Sequence, residues 1–341
     1  MISDDALAGW IPLFLSRDDQ PEVEWGYMGG ERFTEPFCQG TLQKLASRPF
    51  NQLFRQQSGL DLLLERAQSH PGLPLEGIIF HMSRCGSTLA AQWLAALPDS
   101  VVLSEPEPLD AVLQSHYADT EPMRAMLSAM GQPRRENDRR LFLKTDCWHM
   151  AQIDRLLSAF PGTPWIFMYR DPLEVLVSHQ RMPGWLVVPG SLSGHGLHPP
   201  EELMCNPLGN AAWILSAILQ RASEAMARHG NGLLLNYSEL PQALESRLAA
   251  HFGIDLNALD AAALRTVTNR HSKRGHQAFV SDAAEKRAAA DSVIVDLAAR
   301  WLNGPYQKLE QQRLDSASLQ EICADGGRRR SAHKAETGCP A

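Results

Sequence analysis

The chain has no apolar run approaching the roughly 18 residues that a bilayer span takes, so no membrane span is expected. It has no C-x-x-C pair either. Its six cysteines fall at 38, 85, 147, 205, 323 and 339, a scatter that fits free thiols in a reducing compartment and excludes a disulfide framework. Positive charge is also short: 32 Lys and Arg stand against 39 Asp and Glu, a net of −7. Nothing global therefore attracts nucleic acid or anionic lipid, and any anionic ligand must be held by a local cluster. No basic residue precedes the first apolar patch, Trp10 to Leu15, while Asp4 and Asp5 do. A secretory signal peptide has the opposite order, so the expected location is the cytoplasm.

What the chain does have is an ordinary globular composition, 341 residues with 44% apolar and 21% charged, enough for one large α/β domain or two smaller ones. Short continuous apolar runs recur at Ile78 to Phe80, Ser100 to Leu103, Leu141 to Leu143, Trp165 to Tyr169 and Leu233 to Leu235, each followed by helix-compatible sequence. Buried strands alternating with helices predict an α/β fold whose parallel sheet is covered on both faces. Asn206-Pro207 reads as a helix start, and Gly230-Asn-Gly232 as its stop. Residues 182–206 are broken by proline and glycine and read as a long lid or binding loop. Residues 1–75 carry Pro and Gly between short helical patterns such as Leu60 to Ala67, with no clean strand register. The predicted organisation is an N-terminal extension over 1–75, a core domain over 76–312 with helical additions at both ends, and a tail over 313–341. The tail has no apolar period beyond Gly326 and is expected to be disordered at its end; its Arg328-Arg-Arg330 run reads as a solvated end.

The first candidate site follows the first core strand. His81-Met-Ser83-Arg84-Cys85-Gly86-Ser87-Thr88 leaves a strand and opens a helix, where turn N–H groups and the helix N-terminus converge on one point suited to phosphate or sulfate. The loop lacks the lysine that follows the last glycine of a Walker A motif, which disfavours a nucleoside triphosphatase. Cys85 raises a cysteine phosphatase, but position 91, where the clamping arginine would stand, is alanine. A purely structural strand-turn-helix stays open on the loop alone.

The second site is Tyr169-Arg170-Asp-Pro-Leu-Glu174-Val-Leu-Val-Ser178. Asp171 as N-cap, Pro172 at the first helical position and Glu174 at the third form a capping-box-like start. Capping does not require Arg170 at the strand's end or Ser178 two turns up on nearly the same face. An arginine and a hydroxyl presented together can grip a second phosphate.

Taken together, these motifs resemble the sulfotransferase superfamily that uses 3′-phosphoadenosine 5′-phosphosulfate. Ser83-Arg84-Cys85-Gly86-Ser87-Thr88 is similar to its 5′-phosphosulfate loop in the arginine-bearing form of tyrosylprotein and many bacterial members. Arg170 and Ser178 match its 3′-phosphate element in spacing. Two weaker likenesses are Tyr237 in Asn236-Tyr-Ser-Glu-Leu240, and the late basic loop Lys273-Arg274-Gly275. The resemblance covers roughly 77–300 and implies a P-loop-type three-layer fold, the phosphosulfate donor with adenosine 3′,5′-bisphosphate as product, no metal, and a hydroxyl-bearing acceptor, small molecule or peptide; it leaves a homodimer open.

The family's glutamate-type members place a base after the second strand, which falls on Glu105 with Glu107 as fallback, and a lysine at the end of the third, which falls on Lys144. The resemblance thus implies Glu105 as general base, Arg84 as the cation at the phosphosulfate and Lys144 as a second stabiliser of the leaving phosphate. Lys144 ends an apolar strand, and on that alone it either snorkels to solvent or points into the cleft. His195-Gly-Leu-His198 lacks a nearby carboxylate or thiol at ligand spacing, so His179, His195, His198 and His276 are expected to be plain loop histidines. The competing readings are a small-molecule kinase using ATP and magnesium, and a catalytically inactive nucleotide-binding module.

Overall fold

Residues 7–115, 120–256, 264, 270–271, 274–278 and 282–316 are described by the computed structural model. The N-terminal segment departs from the helical character expected of it. It forms a three-stranded antiparallel sheet in spatial order β1 (Trp10–Leu15), β2 (Glu22–Tyr27), β3 (Gln56–Gly59), with helices at Cys38–Ala46, Pro49–Leu53 and Leu60–Ser69. In β2 the fully buried Val23 and Trp25 alternate with the outward Glu22 and Glu24, which is the period of a half-buried strand. Pro12 hid the matching pattern in β1: the pairing slips between Pro12 and Phe14, the kind of bulge where a strand tolerates proline. Trp25 Nε1 donates to Ser58 Oγ across 2.9 Å, and the buried Arg66 donates to the Leu7 carbonyl at 3.0 Å.

The five apolar runs form the central sheet, all parallel, in the order β5 (Ser100–Ser104), β6 (Arg140–Lys144), β4 (Leu75–His81), β7 (Trp165–Tyr169), β8 (Gly232–Asn236). β5 and β7 are buried along their whole length, as strands covered on both faces must be. From β4 the chain crosses one way to β5, and from β7 it moves the other way to β8. A crevice therefore opens beyond the C-terminal ends of β4 and β7.

Helix Pro207–Arg228 starts where its signal predicts, with the Asn206 side chain accepting from Gly209 N at 2.8 Å, and it ends two residues before Gly230. Residues 182–206 hold only three short turns of 3-10 helix. A helix over 303–316 runs across the boundary expected at 312 and covers the ends of β7 and β8: Tyr169 Oη donates to Glu310, and Asn236 Nδ2 donates to Glu310 and to Tyr306 Oη, each at 3.0 Å. A further pair, β9 (Arg270–His271) and β10 (Arg274–Ala278), is antiparallel. Among the described residues no helix is long and apolar enough to cross a membrane.

Candidate active site

After β4 the backbone turns through two left-handed residues, Arg84 at φ 63° and Gly86 at φ 88°, before helix Ser87–Ala95 begins. Glycine is required at the second: a Cβ there would stand 2.7 Å from Leu240 Cδ1 and 3.0 Å from Tyr237 Cδ2, in a conformation that L side chains rarely adopt. Ser87 and Thr88 are buried at the helix start. Burial pushes the Cys85 thiol up to about 11, so it is no thiolate at neutral pH and the cysteine-phosphatase reading loses its nucleophile. Arg84 reaches over the cleft and donates to the Met182 carbonyl at 2.9 Å.

Glu105 leaves the end of β5 with φ 52°, a strained setting for a non-glycine residue of the kind that clusters at functional sites. Its amide is held by the Lys144 carbonyl at 2.7 Å. Its carboxylate accepts from Lys144 Nζ and lies 3.5 Å from His81 Nε2. Burial alone would raise this carboxyl, but the Lys144 charge and the His81 contact outweigh it and hold it down to about 2. Lys144 itself is fully buried, with its ammonium 5.2 Å from the centre of the Phe37 ring. Here the structure corrects the expectation: Lys144 lies behind Glu105 and neither snorkels to solvent nor lines the cleft. Glu107 is exposed and accepts from Gln39 Nε2 at 2.8 Å.

Two neighbours of Glu105 carried no signal in the sequence. His81 is buried and hydrogen-bonds the Thr145 carbonyl through Nε2 at 2.9 Å; burial, then the Lys144 charge, lowers its basicity. Asp146, past the end of β6, caps the turn Cys147–Gln152. Burial first, then the charges of Glu105 and Asp110, raise its carboxyl well above the usual range.

At the other side of the crevice Arg170 is 4% exposed. Its guanidinium stacks 3.7 Å from the centre of the Tyr237 ring, and its Nε donates to Glu174 Oε2 at 2.6 Å. Asp171 caps the helix Pro172–Arg181 as expected, accepting from Leu173 N at 3.0 Å and Glu174 N at 3.3 Å. Glu174 does not close a capping box, because its carboxylate is engaged by Arg170. Ser178 lines the cleft two turns up that helix. Lys273 lies outside the described residues; Arg274 and Gly275 start β10.

The cleft holds about 590 Å³ and gathers Ser83, Arg84, Cys85, Gly86, Ser87, Thr88, Glu105, Arg170, Ser178 and Tyr237 on one surface. Phe37 from the N-terminal extension and Met182, Gly184, Trp185 and Leu186 from the 182–206 loop form further walls, with Trp148, Asp282 and Lys286 beside them.

His195 is not the plain loop histidine expected. It is buried, with Nε2 3.3 Å from Asp110 Oδ1, the same oxygen that lies 2.7 Å from His149 Nε2. The ligand atoms of these three residues lie within 4.8 Å of one another. The donor set does not suit a metal, however. Asp146 N–H donates to His149 Nδ1 at 3.2 Å, so the ring proton sits on Nε2 and faces Asp110, whereas a metal-bound imidazole would need that nitrogen bare. Asp110 thus accepts from His149 and Trp148, and the His195 ring of the 182–206 loop packs against all three.

The fold and site together define an open α/β protein with a crevice at its strand ends that Arg84 and Arg170 line, and a strained, ion-paired glutamate beside it. No protein-family model and no curated protein matches the chain. Among solved structures it is similar to a sulfotransferase from Mycobacterium tuberculosis (TM-score 0.45, 14% identity, covering 71% of this chain and 81% of that one). It is also similar to one from Mycobacterium avium (0.43, 15%, 71% and 81%). The sulfotransferase domain from the curacin biosynthetic pathway matches at 0.43 and 18%, covering 71% of this chain and 98% of that one. At these scores the chemistry rests on the residues of the cleft.

Proposed function

We propose that the chain is a sulfotransferase that moves the sulfuryl group of 3′-phosphoadenosine 5′-phosphosulfate to a hydroxyl acceptor. The observation that carries this reading is the convergence on one cleft of the loop after β4, the Arg170 and Ser178 pair beyond β7 and the Glu105 carboxylate after β5. Two anion sites flanking a carboxylate fit a donor with phosphate at both ends and a hydroxyl to be deprotonated.

When bound, the donor supplies an activated sulfuryl group on a phosphate leaving group. Ser87, Thr88 and the backbone N–H groups of the loop hold its 5′-phosphate. Arg170, Ser178 and Tyr237 form the end that receives the 3′-phosphate. Arg84 meets the charge that builds on the bridging oxygen as its bond to sulfur breaks. Glu105 takes the hydroxyl proton as the new sulfur–oxygen bond forms. By analogy with the loose transition states of phosphoryl transfer, that proton becomes acidic only late, so a carboxylate held well below the usual range still serves as its acceptor. Lys144 acts through Glu105, keeping it ionised and aimed, and is a positioning residue in this arrangement.

Transfer of labelled sulfate to a panel of phenols, sugars and tyrosine peptides tests the reading. Wild-type turnover is expected, with Glu105→Gln lowering it by about 10²–10⁴-fold while binding of adenosine 3′,5′-bisphosphate survives. Thermal stabilisation by ADP and magnesium but not by the bisphosphate would point to a kinase; bisphosphate binding without turnover on any acceptor would point to an inactive module.

A further inference from the structure

The Arg170 end of the cleft already holds an oxyanion from the chain itself. Asp282, just ahead of the short helix Ala283–Ala288, places Oδ1 2.5 Å from Arg170 Nη2 and Oδ2 2.7 Å from Lys286 Nζ. One carboxylate oxygen thus rests on each cation, the arrangement in which two oxygens of a phosphate would sit. Both Asp282 and Lys286 line the cleft with Ser178.

The two acids that hold Arg170 differ in their freedom. The Glu174 side chain is 1% exposed and grips Nε, so it fixes the plane of the guanidinium. The Asp282 side chain is 39% exposed and has a route to water that Glu174 lacks. A phosphate approaching Arg170 with Asp282 in place would meet a like charge, and with Asp282 turned away it would meet two cations whose positions are already set. The Lys286 side chain is 11% exposed, and Asp282 is the carboxylate it pairs with.

We infer that Lys286 is a further ligand of the 3′-phosphate and that Asp282 is its stand-in, occupying the phosphate position until nucleotide displaces it. The inference rests on the sulfotransferase reading. It assigns two residues that the sequence motifs did not touch, and it makes selectivity for a 3′-phosphorylated nucleotide depend on an exchange of one anion for another.

Isothermal titration of the full chain with adenosine 3′,5′-bisphosphate and, separately, adenosine 5′-phosphate tests it. Lys286→Met is expected to weaken the bisphosphate by roughly tenfold, and Asp282→Asn to tighten it by roughly three- to tenfold, with adenosine 5′-phosphate unchanged in both. A purely structural role would move the two nucleotides together. Equal shifts for both ligands, no shift, or weaker bisphosphate binding by Asp282→Asn overturn the assignment while leaving the parent reading intact. A wild type that binds neither nucleotide overturns both.

Discussion

Lys144 is wholly buried and its charge is met by Glu105, whose side chain is 23% exposed and opens to the cleft. The pair is therefore asymmetric. Removing the carboxylate strands a cation with no route to water, and removing the lysine leaves an anion that still touches solvent. Glu105→Gln is expected to cost about 3–5 kcal/mol of stability, Lys144→Met clearly less, and the double variant to recover most of the difference. Denaturant unfolding of the three variants measures this; costs that simply add would show that the two groups do not interact.

Acid stability follows from the same contact, together with a second carboxyl whose shift runs the other way. The folded Glu105 carboxyl, held down to about 2, contributes stability that is present above the unfolded value near 4.5 and is lost as pH falls toward 2. Asp146 is shifted upward by burial and by Glu105, so it costs stability that grows as pH rises above its unfolded value near 3.8. Asp146→Asn, which keeps the capping oxygen, is expected to raise the melting temperature by a margin that widens from pH 4 to pH 7. A margin that shrinks over that range would reverse the assigned direction.

Thiol chemistry separates two readings of the loop. Cys85 is buried with its thiol pushed up to about 11, while Cys205 is exposed. Iodoacetamide at pH 7.5 is expected to label Cys205 and spare Cys85, and to leave sulfate transfer unchanged. Rapid labelling of Cys85 with loss of activity would restore a nucleophilic cysteine.

Trp185 is 66% exposed in the 182–206 loop yet lines the cleft. Trp185→Ala is expected to raise the acceptor KM by roughly tenfold, the scale of one lost aromatic contact, with bisphosphate affinity unaltered. Loss of nucleotide affinity instead would place this loop on the donor side.

The core was legible because strands buried on both faces leave continuous apolar runs, as in Trp165 to Tyr169. The N-terminal sheet was not, since Pro12 interrupts the alternation of β1 and β3 is a polar edge strand of four residues. Spacing placed Arg84, Arg170 and Ser178 at the cleft, for the reason that each follows a strand end within one turn or two. The left-handed backbone of Arg84 and Glu105 has no signature in residue type. The contact of Arg170 with Asp282 spans 112 positions, and the ring over the Lys144 ammonium is that of Phe37, which arrives from the N-terminal extension just ahead of helix Cys38–Ala46. Such meetings are made by tertiary packing, and a linear pattern does not carry them.

The provenance of the cleft's walls has an evolutionary consequence. Cleft residues 83–88, 170 and 178 sit on the central sheet's own connections, whereas Phe37 comes from the antiparallel appendage and Trp185 and Leu186 from a loop between helices. The two sets share no segment of chain. On the sulfotransferase reading, an appendage or loop can therefore be lengthened or resurfaced without altering the donor-side sequence, provided that the Met182 carbonyl still meets Arg84 and the Phe37 ring still covers Lys144, which makes the acceptor wall a natural point of entry for re-engineering.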